Sequence, residues 1–185
     1  MTLAEQRDGS ALVFVVPEVA DVIGTFRSQY IKDDPSMPPH ITLLYPFFAP
    51  SETTPDVLRR VEGVTSAARA FDYTATGLAT FGQQVIYLTP EPVAPFLALI
   101  AHLGDEFPEI TPYWDKYGGA VPHITVADLG LAEGADVKAD VEATVLPHLP
   151  IRCTAAEVLL LQRLRPAPAP WDVRANFMLG SPGHI

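Results

Sequence analysis

The period of apolar and polar positions changes along this chain, and the changes outline its elements. Ala11 to Val16 is a continuous apolar run rich in β-branched residues and stopped by Pro17, the pattern of a buried strand. Val19, Val22, Ile23, Phe26 and Tyr30 then recur at helical spacing and give one apolar face. Lys32 to Pro39 reads as a loop, and His40 to Tyr45 as a strand closed by Pro46. Thr54-Pro55 opens a helix running to about Ala68, with the threonine as cap and the proline in the first position. Phe71 to Phe81 and Gln84 to Thr89 read as two strands joined at Gly82.

The order then repeats. Pro92 to Leu103 predicts a helix with Pro95 in its first turn, and Glu106 to Val121 a long loop containing Gly118-Gly119. His123 to Ala127 is a strand, and Ala135 to His148 a helix ended by Pro147 and Pro150. Ile151 to Gln162 reads as one strand, Arg165 to Pro170 as a Pro-Ala loop, and Trp171 to Leu179 as the last strand. Each half runs strand, helix, loop, strand, helix, strand, the second about eighty positions after the first, and such duplicated units pack about a pseudo-two-fold axis. The expectation is a single domain over residues 1–185, with lobes at about 11–81 and 84–180 and no free linker between them.

Both halves carry the same short motif, Pro39-His40-Ile41-Thr42 and Pro122-His123-Ile124-Thr125. The proline sets an extended lead-in. In a strand, residues two apart share a face, so His40 and Thr42 point one way while Ile41 and Leu43 point to the core. His123 and Thr125 oppose Ile124 and Val126 in the same manner. If the axis brings the two strands together, two imidazoles and two hydroxyls line one cleft. Imidazole titrates near neutrality, so one ring can act as base and the other as acid, and threonine hydroxyls can donate to phosphoryl oxygens. That set suits in-line displacement at phosphorus without a metal. A lone His-x-Thr is a weak signal; two copies at equivalent places in a repeat are hard to explain by packing.

Composition narrows the substrate. The formal charge is −10, which disfavours long nucleic acid and anionic membranes and favours a small or short anionic substrate met by local donors. Hydrophobic residues make up 48% of the 185, a globular composition. Cys153 is the one cysteine, read as a buried thiol in a reducing compartment. Met1 to Ser10 is polar and acidic without a signal-peptide core, no apolar run reaches membrane-spanning length, and the reading is a cytoplasmic monomer. His102, His148 and His184 lack a motif and zinc-ligand spacing, so neither a catalytic role nor a metal site is assigned to them. Tyr113 and Lys116, in the loop before the second motif with Trp114 and Tyr117, are candidates to stack on a base and meet a phosphate. On strict alternation Tyr45 falls on the face opposite His40, and Phe47 and Phe48 belong to the core. Arg163, Arg165 and Arg174 read as surface cations.

His40-Ile41-Thr42-Leu43 and His123-Ile124-Thr125-Val126 resemble the paired motifs of the two-histidine (2H) phosphoesterase superfamily, which includes the RNA 2′,3′-cyclic phosphodiesterases, or 2′-5′ RNA ligase-like proteins. The resemblance spans nearly the whole chain, from the Ala11 strand to Leu179. It implies a bilobal α+β fold, with antiparallel sheets flanking a central cleft and helices outside. It also implies phosphodiester chemistry that needs no metal or other cofactor. His40 and His123 would be the catalytic pair, either taking either part, with Thr42 and Thr125 on the phosphoryl oxygens. The expected substrate is a 2′,3′-cyclic phosphate on a short RNA end or a small cyclic nucleotide. The alternatives are a 2′-5′ RNA ligase or hydrolase, and a module that binds nucleotides or RNA ends without turnover.

Overall fold

A computed structural model describes residues 9–31, 37–129, 134–163 and 170–181; the readings made at Met1–Asp8, 32–36, 164–169 and His184 lie outside them. The elements follow the expected order. The first repeat supplies β1 (Ser10–Val15), α1 (Ala20–Tyr30), β2 (His40–Leu44), α2 (Pro55–Ala67) and β3 (Phe71–Phe81). The second supplies β4 (Val85–Glu91), α3 (Ala94–Glu106), β5 (Ile124–Asp128), α4 (Gly134–Val145), β6 (Ile151–Ala155), β7 (Glu157–Gln162) and β8 (Asp172–Met178). Short 3₁₀ turns cover Pro17–Val19, Tyr113–Tyr117 and Leu146–His148.

All eight strands join one curled antiparallel sheet in the order β6-β3-β4-β5-β2-β1-β7-β8. The order is symmetric about the β5–β2 contact: β4 corresponds to β1, β3 to β7 and β6 to β8. The two expected sheets are therefore the two halves of one. The sequence repeats, however, are not those halves. β3 of the first repeat pairs with β4 of the second, because their connection at Gly82 (φ 57°) is too short to place them anywhere but side by side. The run expected as one strand at Ile151 to Gln162 breaks after Ala155. Its first piece pairs with β3, and its second with β1 and β8 on the far side. No Gly or Pro stands in this segment to announce the break; Ala156 alone separates the two pieces.

The helices cross in the same way. α1 packs on β5 and α3 on β2, each against a strand of the other repeat. One core results, joining Leu12, Phe14 and Ile41 to Leu88, Phe96 and Ile124. At its centre Phe96 meets Phe14, Phe71 and Tyr73 edge to face, with centroids 4.9–5.8 Å apart. α2 begins as expected: the Thr54 hydroxyl accepts from the Val57 N–H at 3.3 Å, and Val57, Val61 and Thr65 form its buried face. Cys153 is buried in β6, and burial pushes its thiol up to about 11. Phe47 is fully buried, with Phe48 packed against it. Among the described residues no helix is long and apolar enough to cross a membrane.

Candidate active site

The motif strands β2 and β5 meet at the centre of the sheet, antiparallel, with Ile41 opposite Ile124. Both isoleucines are fully buried. One step to either side, the same register sets His40 across from Thr125 and Thr42 across from His123, all on the other face of the sheet. Histidine and threonine thus alternate around the local axis, and all four line one cleft of about 270 Å³.

Each motif strand then carries a bulge at the same place. β1 pairs Val13 with Thr42 and Leu12 with Leu44, skipping Leu43. β4 pairs Tyr87 with Thr125 and Ile86 with Ala127, skipping Val126. An extra residue reverses the side-chain alternation beyond it. Tyr45 and Asp128, each five positions after its histidine, are thereby brought into the cleft with the motif residues. This corrects the strict alternation that put Tyr45 on the opposite face, and it adds Asp128, which the sequence reading missed.

Both imidazoles are held alike. His40 Nδ1 lies 2.8 Å from the Pro38 carbonyl, and His123 Nδ1 lies 2.7 Å from the Val121 carbonyl. A carbonyl only accepts, so Nδ1 must carry the proton, and Nε2 is the nitrogen left for chemistry. In each case the acceptor sits two residues back, across the motif proline. Neither Thr42 nor Thr125 engages a protein partner through its hydroxyl among the described residues, which leaves two donors for a ligand.

The surroundings of the two rings differ. Phe81 and Tyr87 meet His123 edge to face at 4.9 and 5.2 Å. His40 instead shares its Pro38 carbonyl with Arg27 of α1, a residue the sequence reading did not single out. The Arg27 guanidinium lines the cleft and donates to the carbonyls of Met37 (2.7 Å), Pro38 (3.3 Å) and Thr125 (2.6 Å). Burial lowers the His40 imidazole to about 4; the Pro38 bond opposes this, and the Arg27 and His123 charges add to it. Burial also lowers His123, with the Val121 bond opposing. Arg27 itself is lowered by burial to about 10 and stays charged at neutral pH.

Tyr113 lines the cleft, its ring 6.0 Å from that of Tyr45, and its N–H donates to the Tyr45 carbonyl at 2.9 Å. Lys116 does not line it. Trp114 takes the buried side of the 3₁₀ turn, and the exposed lysine extends along the Tyr117 ring, keeping its ammonium in water. A second cavity of about 550 Å³ adjoins the cleft, sharing Tyr113, His123, Thr125 and Asp128, and is walled by Phe81, Trp114 and Tyr117. Arg163 lies over the Trp171 ring, and Arg174 is exposed. Among the described residues no three His, Cys, Asp or Glu side chains converge as metal ligands do.

A curled sheet with paired His-x-Thr strands at its centre is the plan of a two-histidine phosphoesterase. The profile described as "2'-5' RNA ligase superfamily" matches residues 15–167, and the chain belongs to that family. A Bacillus pumilus protein named "Putative phosphoesterase" is 26% identical over 175 residues, covering 93% of this chain and 97% of its own. A Geobacillus kaustophilus protein of the same descriptive name is 27% identical over 172 residues, covering 91% and 94%. Among solved structures, TT0787 of Thermus thermophilus superposes with a TM-score of 0.66 at 21% identity, covering 94% of this chain and 98% of its own. E. coli LigT complexed with 3'-AMP gives a TM-score of 0.60 at 14% identity, covering 93% and 98%. These two share the fold.

Proposed function

We propose that this protein hydrolyses 2′,3′-cyclic phosphodiesters, on small nucleotides or short RNA ends, without a metal ion. The observation that carries this reading is the pair of imidazoles in one cleft, each with Nδ1 tied to a carbonyl and Nε2 left for chemistry. With the phosphoryl group between them, the Thr42 and Thr125 hydroxyls donate to its non-bridging oxygens. His40 is the base, because burial first opposes its protonation and the neighbouring Arg27 cation, which His123 lacks, adds to that. Its Nε2 takes a proton from water as the water oxygen bonds to phosphorus. The P–O bond to one ribose oxygen breaks, and His123 Nε2–H protonates that oxygen. The aromatic rings around His123 accept a cation more readily than a guanidinium does. The product is a phosphomonoester, and solvent returns the proton to its starting place.

The neighbouring cavity supports a nucleotide over a bare sugar phosphate. Tyr113, Tyr117 and Phe81 can stack a base there, and each base–aromatic stack is worth about 1–3 kcal/mol. The fold relative LigT was solved with 3'-AMP, a nucleotide bearing a terminal phosphate. The net charge of −10 weighs against a long 2′-5′-linked RNA.

The test compares 2′,3′-cyclic nucleotides with nitrophenyl phosphodiesters in the presence of EDTA. His40→Ala should lower turnover of both by roughly a hundredfold or more, the usual contribution of a general base. His123→Ala should be as damaging on the cyclic nucleotide but far milder on the nitrophenyl ester, whose leaving group needs no proton. Full activity in the double variant, or complete loss in EDTA that added metal restores, contradicts the reading. Binding of cyclic nucleotides without product favours a non-catalytic module.

A further inference from the structure

Arg27 is a charged side chain only 7% exposed, and its position makes structural economy an incomplete account of it. A buried guanidinium is costly unless an anion or a full set of acceptors meets it. Three of its five N–H donors go to main-chain carbonyls. Those carbonyls solvate the charge without neutralising it, and among the described residues no carboxylate pairs with it. The equivalent helix of the second repeat, α3, buries only Phe96, Leu99, Ile100 and Leu103. The fold therefore does not require a cation at this layer. Nor does any other lysine or arginine among the described residues line the cleft or the cavity beside it.

We infer that Arg27 is the anion-binding residue of the cleft. Its guanidinium faces the non-bridging oxygens of the substrate phosphoryl group, while its carbonyl contacts hold the two histidine motifs at their working separation. The inference rests on the phosphodiester reading above. The planar fork suits a tetrahedral oxyanion and forms charge-assisted bonds to it. Its bonds to Met37 and Pro38 on one side and Thr125 on the other tie the segment before His40 to the strand after His123. The chain carries a net charge of −10 and its cleft also holds Asp128, so the Arg27 cation is what offers an anionic substrate a positive charge there among the described residues.

The experiment uses the full chain with inorganic phosphate as probe. Phosphate affinity is measured by calorimetry for the wild type, Arg27→Gln and Arg27→Lys, alongside kcat, KM and the pH profile on a 2′,3′-cyclic nucleotide. Arg27→Gln keeps donors for the carbonyls and removes the charge; it should weaken phosphate binding about ten- to hundredfold, the scale of losing charged hydrogen bonds. Its acid limb should also move to higher pH, because the cation opposing His40 protonation is gone. Arg27→Lys should restore most of the phosphate affinity. A folded Arg27→Gln protein that binds phosphate like the wild type and differs only in melting temperature overturns the inference and leaves the phosphodiesterase reading standing. A wild type that neither binds phosphate nor turns over the cyclic nucleotide defeats both. If Arg27→Gln does not fold, the arginine side-chain ¹⁵N signal of the wild type decides. It should shift on titration with phosphate, and a signal that stays fixed at saturating phosphate overturns the inference.

Discussion

His40 and His123 hold the same tautomer in different surroundings, and their pH dependence follows from that. The proposed chemistry needs one ring neutral and the other cationic. In the free enzyme His40 is lowered to about 4 and His123 is lowered from 6.5, both by burial first. Both shifts run to the acid side of 6.5, so kcat/KM should trace a bell whose apex lies on the acid side of pH 6.5. A bound phosphoryl anion stabilises both imidazoliums, so the kcat bell should sit at higher pH. Steady-state profiles over the full range check this; coincident bells with an apex above neutrality contradict it. The four motif residues were legible because a Pro-His-x-Thr strand declares its own alternation. Tyr45 and Asp128 were not, because each reaches the cleft through a bulge that no residue type announces. Arg27 was hidden for another reason. An arginine four positions after Ile23 reads as an interruption of the apolar face, and its acceptor at Thr125 lies 98 positions away.

Elements were easier to read than their partners. The proline-flanked strands and the Thr54 cap formed as expected, since local chemistry decides them. Strand neighbours depend on where the chain returns, and the single run at 151–162 concealed two strands in opposite halves of the sheet. That long excursion ends at Gly180, just beyond β8. Its N–H donates to the Ala68 carbonyl at 2.7 Å, and its own carbonyl accepts from the Ala70 N–H at 2.9 Å. A Cβ placed there would come within 2.7 Å of the Ser66 carbonyl oxygen and 3.0 Å of that of Ala68. Gly180→Ala should therefore destabilise the protein by about 1–3 kcal/mol, the usual range for overpacking. Gly24 in α1 gives the opposite sign, because an added Cβ there meets nothing within 4 Å. Gly24→Ala should stabilise by about 0.5–1 kcal/mol through helix propensity and the entropy of the unfolded chain. Denaturant midpoints of the two variants against the wild type test both signs; a neutral Gly180→Ala would mean that the Ser66–Ala68 turn yields easily.

At the scale of the molecule, the exchange of strands between repeats has a thermodynamic consequence. Had each repeat folded upon itself, two lobes could open separately and the cleft would lie on a hinge. Instead β3 and β6 sit with β4 and β5, while β7 and β8 sit with β1 and β2, so the chain crosses the middle of the sheet repeatedly. The core is shared as well, with Leu88 of β4 and Leu160 of β7 both fully buried in one cluster. Neither half can lose its strands without stripping partners from the other, so unfolding should be a single transition. Guanidinium curves followed by far-ultraviolet circular dichroism and by fluorescence of Trp114 and Trp171 should superimpose. Leu88→Ala and Leu160→Ala should each move that whole transition, by about 2–5 kcal/mol for a truncated buried leucine. A biphasic curve, with each substitution moving its own phase, would show two independent halves. In that case the distance between His40 and His123 would be free to vary. A single transition instead ties that distance to global stability, which is what the proposed site, divided between two strands, needs in order to hold both imidazoles on one phosphorus.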